Sequence, residues 1–302
     1  MSLYSTLASL PPVRAFFEWR LAARRLPGVA VLGYHGVRRD DTPRGRMAFE
    51  GLHVPRALFE AHCRVLSEVC HPISLETWRR AAAGEGDLPA RPVLVTFDDG
   101  YRSVVTEALP VLERFRVPAV VHVCTAPVET RRRFWYDAMA LSLGESAVTA
   151  IKRRPHHEWL QAIAAIDRAV AEDDPHCPMS IDDVARLGAH ELIEIGGHSA
   201  THPILARADR AVQQREIWDC VSALGQWTGR PVRAFAYPNG RPLQDFTLET
   251  VALVAAAGID RAFTTAPGFA GPDADPMALP RFVMTDGVTP AHLASRLGST
   301  WW

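Results

Sequence analysis

Hydrophobic and polar positions alternate along this chain in two rhythms. Short unbroken apolar runs, VAVLGY at 29–34, PVLVTF at 92–97 and PAVVHVC at 118–124, read as strands buried on both faces. IEIGG at 193–197, VRAFAY at 232–237, RAFTT at 261–265 and LPRFVM at 279–284 are shorter runs of the same kind. Between them, apolar residues recur at helical spacing over 55–70, 105–115, 207–229, 248–258 and 290–297. Pro55 opens the first of these helices, Gly229 and Gly258 close the third and fourth, and the second is expected in spite of Pro110. About seven strand–helix units in this order predict an α/β fold with a parallel sheet or barrel.

Residues 128–190 break the rhythm. RRRFWYDAMALSLG, IKRRPHHEWLQAIAAIDRAVAEDD and SIDDVARLG all look helical, with no strand among them. A chain of 302 residues admits either two domains or one barrel with an insertion. We divide it into an N-terminal helical extension at 1–28 and a barrel domain at 29–302, with a helical insertion at about 128–190.

Residues 13–25 have the pattern of a basic amphipathic helix, with Phe16, Phe17, Trp19 and Leu21 near Arg14, Arg20, Arg24 and Arg25. Such a helix packs on the barrel or lies on an anionic membrane surface. Trp301 and Trp302 are open to the same two readings. No uninterrupted apolar signal-peptide core and no run of about 18 apolar residues occurs, which predicts a cytoplasmic protein with at most peripheral membrane contact.

Composition narrows the partners. Lys+Arg 33 against Asp+Glu 34 leaves a net charge of -1, which argues against bulk electrostatic binding to nucleic acid. The 48% hydrophobic content excludes a disordered chain. Five cysteines, an odd number with no C-x-x-C pair, point to reduced thiols and not to a disulfide framework or zinc knuckle.

Three segments carry candidate chemistry. Thr96-Phe97-Asp98-Asp99-Gly100-Tyr101 ends an apolar strand with two carboxylates. Strand neighbours point to opposite faces, so both acids serve one site only if the backbone turns there, as Gly100 permits. Taken alone, the pair could equally cap a following helix. Gly196-Gly197-His198-Ser199-Ala200-Thr201-His202-Pro203 also follows a predicted strand. Two imidazoles four residues apart can reach one metal ion, and Pro203 favours a turn over a helix. Together with Asp99 they would form a two-histidine, one-carboxylate site with open positions. A hydrogen-bonded core role for His198 remains the alternative. Phe235-Ala236-Tyr237-Pro238-Asn239-Gly240 closes a third strand with turn residues that could aim a backbone N–H at a developing oxyanion.

In order and spacing, TFDDG, HSATH and FAYPNG resemble the three leading motifs of the polysaccharide deacetylase family (NodB-homology domain, carbohydrate esterase family 4). YHGV at Tyr34–Val37, DRAFTT at Asp260–Thr265 and LPRF at Leu279–Phe282 extend the resemblance over roughly 29–285. It implies a distorted (β/α)7 TIM-like barrel and a divalent metal, usually Zn²⁺, with Co²⁺, Ni²⁺, Fe²⁺ or Mn²⁺ as alternatives. It places the metal on Asp99, His198 and His202 and makes Asp98 the general base. The implied reaction is hydrolysis of an N-acetyl group on a sugar, with an N–H of the Tyr237–Gly240 turn at the oxyanion.

Two departures stand out. Many members carry an arginine in the third motif, where this chain has Ala236; Arg233 and Arg281 are the nearest candidates. The late-motif histidine that serves as general acid is also missing, and His292 lies in a predicted helix. His35, ending the first strand, is the substitute candidate for acid or substrate contact. Tyr101, Tyr237, Pro238, Asn239, Trp135 and Arg281 are expected to contact substrate, with Phe134–Asp137 lining a glycan groove. The implied substrate is an N-acetylated glycan or a lipid- or nucleotide-linked sugar precursor. A deformylase or amidase, and a catalytically weak carbohydrate-binding barrel, are the competing readings.

Overall fold

The computed structural model describes residues 25–43, 45 and 47–298. Strand β1 (Val29–Tyr34) is followed by a ribbon of β2 (Gly36–Arg38) and β3 (His53–Pro55), then α1 (Arg56–Val69), β4 (His71–Pro72), α2 (Leu75–Ala82) and β5 (Pro92–Phe97). A π-helical turn at Val104–Ala108 leads into α3 (Leu109–Phe115) and β6 (Ala119–Val123). Five helices come next: α4 (Thr125–Thr130), α5 (Trp135–Leu143), α6 (Glu145–Ile151), α7 (His156–Ala164) and α8 (Ile181–Ala189). The chain then runs through β7 (Ile193–Gly197), α9 (Arg210–Thr228), β8 (Ala234–Ala236), α10 (Leu248–Ala256) and β9 (Arg261–Phe263). It ends in β10 (Phe269–Ala270), β11 (Phe282–Val283) and α11 (Pro290–Gly298).

The main sheet has the order β10-β1-β5-β6-β7-β8-β9, with β4 beside β5 and β11 beside β1. All its pairs are parallel except β1 with β10. Leu279 bridges to Phe263 of β9, and three residues later Phe282 pairs with Leu32 of β1. The 279–283 segment therefore closes the sheet into a distorted barrel. Alternation along the strands makes two cores. Val29, Val31, Leu94, Val120, Ala234, Ala236 and Phe263 pack together in the interior. Leu32, Tyr34, Val95, Phe97, Val121 and Ile195 pack outward against the helices. Both faces of the central strands are thus covered, which is why they read as continuous apolar runs.

Register brings the strand ends to one level. Tyr34 pairs with Phe97, and Phe97 with Val121. Gly197 pairs with Val123 and Phe235, and Ala236 with Phe263. The residues that follow, His35, Asp98, Asp99, His198 and Tyr237, consequently share the C-terminal rim, where barrels of this kind place their chemistry.

The helical stretch at 128–190 needs one correction. Phe134, Trp135, Tyr136, Met139, Val148 and Trp159 form a separate apolar cluster with Tyr101. Val184 and Leu187 of α8, in contrast, belong to the main core, and α8 packs on β7 and α9. It is the barrel's own crossover helix, so the insertion ends before it. Over 105–115 the helix is interrupted as Pro110 demands: a π turn precedes it, and Pro110 sits in the first turn of α3. The ribbon β2–β3 and helix α2 lack a distinct apolar signature and are additions to the predicted elements. The basic helix expected at 13–25 lies, but for its last residue, outside the described residues, as do Trp301 and Trp302. No helix among the described residues is long and apolar enough to cross a membrane. The five cysteines are buried and unpaired.

Candidate active site

Asp98 and Asp99 directly follow β5 and line the same cavity. The Asp98 N–H still donates to the Tyr34 carbonyl at 2.9 Å, and the next residue turns. Asp99 adopts φ 75, and Gly100 φ 97, so the backbone turns directly after Asp98 and sets the Asp99 carboxylate at the rim beside it. A side chain at Gly100 would also crowd Val123, with its Cβ 3.1 Å from a Val123 methyl. Neither aspartate caps a helix. Ser199, His202 and Asn239 are left-handed too, with φ 63, 60 and 57. Such backbone costs about 1 kcal/mol or more per residue and collects at functional sites.

His198 and His202 belong to a turn, as Pro203 leads one to expect. The His202 N–H donates to Ser199 Oγ at 3.0 Å, and Thr201 donates from its N–H and hydroxyl to Glu216 of α9 at 2.8 and 2.7 Å. Nδ1 of His198 donates to the Ala236 carbonyl at 2.7 Å, which fixes the ring with Nε2 toward the cavity. Nε2 of His198 and of His202 lie 3.4 and 3.6 Å from Asp99 Oδ1. One ligand atom from each of the three residues falls within 4.8 Å of the others, and all three residues are buried. Burial and the neighbouring His198 push His202 down to about 3, so its imidazole is neutral. Burial would raise the Asp99 carboxyl, but the histidines around it hold it well below the usual range. Burial would lower the His198 imidazole, but Asp98 and Asp99 hold it above its usual value. Two imidazoles and one carboxylate converging in this way fit a divalent cation, which would take the place of a proton on His198.

Asp98 points into the barrel interior and is held on both oxygens. Arg281 donates from Nη1 to Oδ1 and from Nη2 to Oδ2, each at 2.7 Å. His122 of β6 donates from Nδ1 to Oδ1 at 3.0 Å. Arg281 is itself fixed by its Nε on the Thr264 carbonyl at 2.8 Å and by Thr96 Oγ1 at 3.1 Å. Burial alone would raise the Asp98 carboxyl; Arg281, His122 and His198 override it and hold it well below the ordinary carboxylate range. Burial keeps His122 neutral, pushed down to about 4.

The cavity above these groups measures about 90 Å³. His35, His53, Tyr101, Tyr237, Asn239 and Thr265 line it from the barrel, and Tyr136 and Lys152 from the insertion. His35 Nδ1, His53 Nδ1, Tyr136 Oη and Asn239 Nδ2 are buried there without hydrogen-bond partners. Lys152 donates from Nζ to Asn239 Oδ1 at 2.6 Å. A larger cavity of about 590 Å³ opens at the opposite end of the barrel, near Val29, Trp78 and Pro92, away from every candidate ligand.

A family model, polysaccharide deacetylase, matches residues 85–262, more than half of the chain. The chain belongs to the polysaccharide deacetylase family. It is 28% identical over 145 residues to a poly-β-1,6-N-acetyl-D-glucosamine N-deacetylase of Escherichia coli (strain K12), over 48% of this chain and 20% of that protein. The chain thus spans about a fifth of the length of the curated relatives it matches. In fold it is similar to Streptococcus pyogenes deacetylase PplD solved with acetate, at TM-score 0.66 and 19% identity, covering 89% of this chain and 98% of that one. It is similar also to IcaB from Ammonifex degensii, at TM-score 0.63 and 20% identity, covering 90% and 97%.

Within the polysaccharide deacetylase frame, the residues Asp98, Asp99, His198, His202, His35, Tyr101, Tyr237 and Asn239 meet in one cavity. Four expectations are revised. Arg281 is a buried partner of Asp98 and not a substrate contact; only 1% of it is exposed. It fills the place of the missing third-motif arginine, whereas Arg233 pairs with Asp260 at the far end. Trp135 is buried beneath the site and donates from Nε1 to the His202 carbonyl at 3.1 Å, so it braces a ligand turn. Pro238 is buried outside the cavity lining. The Tyr237 N–H donates to the Phe263 carbonyl at 3.1 Å and its hydroxyl to the Met277 carbonyl at 2.9 Å, so neither is free for an oxyanion. His122, Lys152 and His53 were not foreseen. His122 stands in an apolar strand as an inward polar residue, a signal of partnership; Lys152 carried no signal beyond a basic run.

Proposed function

We propose that this protein is a metal-dependent hydrolase that removes the N-acetyl group from an N-acetylated sugar, releasing acetate. The observation that carries this reading is the Asp98–Arg281–His122 group set directly beside Asp99, His198 and His202 on one barrel rim. Asp99 and the two Nε2 atoms would hold the cation, with Zn²⁺ best suited to nitrogen-rich ligands. When bound, the ion supplies Lewis acidity, polarising the acetamide carbonyl and acidifying water.

The chain's own groups do the rest. Asp98, kept ionised and aimed by Arg281, accepts the proton of the attacking water. A C–O bond forms at the acetyl carbon, and the C–N bond then breaks as the nitrogen takes a proton. His35, with Nδ1 unpartnered in the cavity, is our acid. Acetate and a free amine are the products. The acceptor we favour is a lipid- or nucleotide-linked sugar precursor met in the cytoplasm. The five unpaired cysteines suit a reducing compartment, and the basic 13–25 segment suits peripheral contact with an anionic membrane.

Protein freed of metal and reloaded with Zn²⁺ should release acetate from N-acetylglucosamine oligomers or glycosides. Asp98→Asn should bind the metal and lose activity by about three orders of magnitude. His198→Ala should lose stoichiometric metal. Metal retained in full by His198→Ala would sink the ligand assignment, and an active Asp98→Asn would sink the base.

A further inference from the structure

The catalytic cavity has a neighbour. A second concavity of about 690 Å³ adjoins it, and the two share Lys152 and Asn239 as walls. Its lining includes Lys152, Arg153, Arg207 and Arg241 against a single acid, Asp245. Each cation extends a segment of the site: Lys152 and Arg153 follow α6 of the insertion, Arg207 follows the His202 turn, and Arg241 follows the Asn239 turn. Aromatic rings, which stack on neutral sugars, are absent from this lining.

The balance of charge is uneven. Asp245 is taken by Arg241, which donates to it from Nε and Nη2 at 2.8 and 3.0 Å. Lys152 meets no carboxylate: its ammonium donates to the neutral amide oxygen of Asn239 and lies 6.0 Å from the centres of the Phe49 and Tyr136 rings. Among the described residues, no carboxylate pairs with Arg153 or Arg207. Arginines elsewhere, such as Arg79, Arg133 and Arg281, do hold carboxylates. With a net charge of -1 for the whole chain, bulk composition does not explain a local excess of unpaired cations. Guanidinium forks match the oxygens of phosphate and carboxylate in pairs.

We propose that this concavity is an anion subsite, which receives a phosphate-ester or carboxylate group carried by the substrate next to its N-acetylated sugar. The proposal rests on the deacetylase reading of the adjoining cavity. Lys152 sits at the junction, where it can face the anion while Asn239 holds its ammonium in place. The subsite would make an anionic sugar derivative a better substrate than a neutral glycoside of the same sugar.

Three probes test this on the full-length, Zn²⁺-loaded protein: the methyl glycoside of N-acetylglucosamine, N-acetylglucosamine 1-phosphate, and an N-acetylglucosaminyl-glucuronic acid disaccharide. At least one anionic probe should exceed the neutral one in kcat/KM by about tenfold or more, an advantage that shrinks with added salt. The double variant Arg153→Gln/Arg207→Gln should lose that advantage, keep its activity on the neutral glycoside and melt as the parent does. Whether the phosphate or the carboxylate probe gains identifies the group. Equal kcat/KM for all three probes, or an equal loss on all three in the double variant, overturns the subsite. Calorimetry on Asp98→Asn separates the two readings. If no probe yields acetate but an anionic probe binds tighter than the neutral one, the deacetylase reading fails and the subsite stands. If binding shows no preference, the subsite fails by itself.

Discussion

Arg281 shows how much one side chain can decide here. Its guanidinium meets both oxygens of Asp98, and its Nε is fixed on the Thr264 carbonyl. A buried carboxylate deprived of such a partner is strongly penalised, by about 3–5 kcal/mol. Arg281→Met should therefore lower both stability and kcat, the latter by roughly 10²–10³, while metal content stays at the parent level because the ligands are untouched. Arg281→Lys should recover little, since a lysine cannot make the paired contact. Measured at a temperature where both variants are folded, near-parental kcat in either would refute the orienting role. The sequence shows an arginine at 281 and an alanine at 236, and a missing motif arginine suggests a damaged site. What it cannot show is that the barrel closes through the 279–283 segment and brings Arg281 beneath Asp98. That juxtaposition depends on pairing between β11 and β1, some 250 residues apart, and no local pattern encodes it.

At the scale of elements, the insertion is part of the active site. Helical periodicity made its content legible, but not its docking. Helix α5 buries Trp135 under the His202 turn, sets the Tyr136 ring 4.8 Å from His202, and offers Asp137 to Tyr101, whose hydroxyl donates to Asp137 Oδ2 at 2.8 Å. Burial pushes the Asp137 carboxyl up to about 7, with Asp99 adding to the rise and His176, Tyr101 and Arg133 opposing it. The unfolded chain would ionise this group near pH 4, whereas the folded protein keeps its proton to about 7. Its contribution to stability is therefore complete below about pH 4 and lost as pH rises through 7, by at most about 4 kcal/mol. Asp137→Asn removes that dependence. In chelated protein, denaturant unfolding should find the variant close to the parent at pH 4.5 and more stable than the parent at pH 8. Parallel pH profiles would show that Asp137 is already ionised in the folded state.

The whole molecule separates chemistry from anchorage. The order and spacing of TFDDG, HSATH and FAYPNG indicated one rim, because all three follow strands and strand ends share a face in a parallel barrel. The opposite end gave no comparable signal, yet it carries its own network. Arg79 of α2 donates to both oxygens of Glu194 at the start of β7, at 2.9 and 2.7 Å, and to Asp260 before β9 at 2.9 Å. Asp260 also meets Arg233 at 2.5 Å. Residues from four segments are thus tied below the barrel, on the N-terminal side of the strands whose other ends hold His198 and Tyr237. Glu194 and Asp260 remain partly hydrated, so losing Arg79 should cost about 2 kcal/mol, less than a fully buried pair. For a chain of this size that lowers the melting temperature by roughly 3 °C. The rim is held by different contacts, Arg281 to Thr264 and Trp135 to His202. Arg79→Met should therefore bind Zn²⁺ with parental stoichiometry and retain parental kcat and KM well below its melting point. If kcat falls while the protein is still folded, the two ends are mechanically coupled and the separation drawn here is wrong.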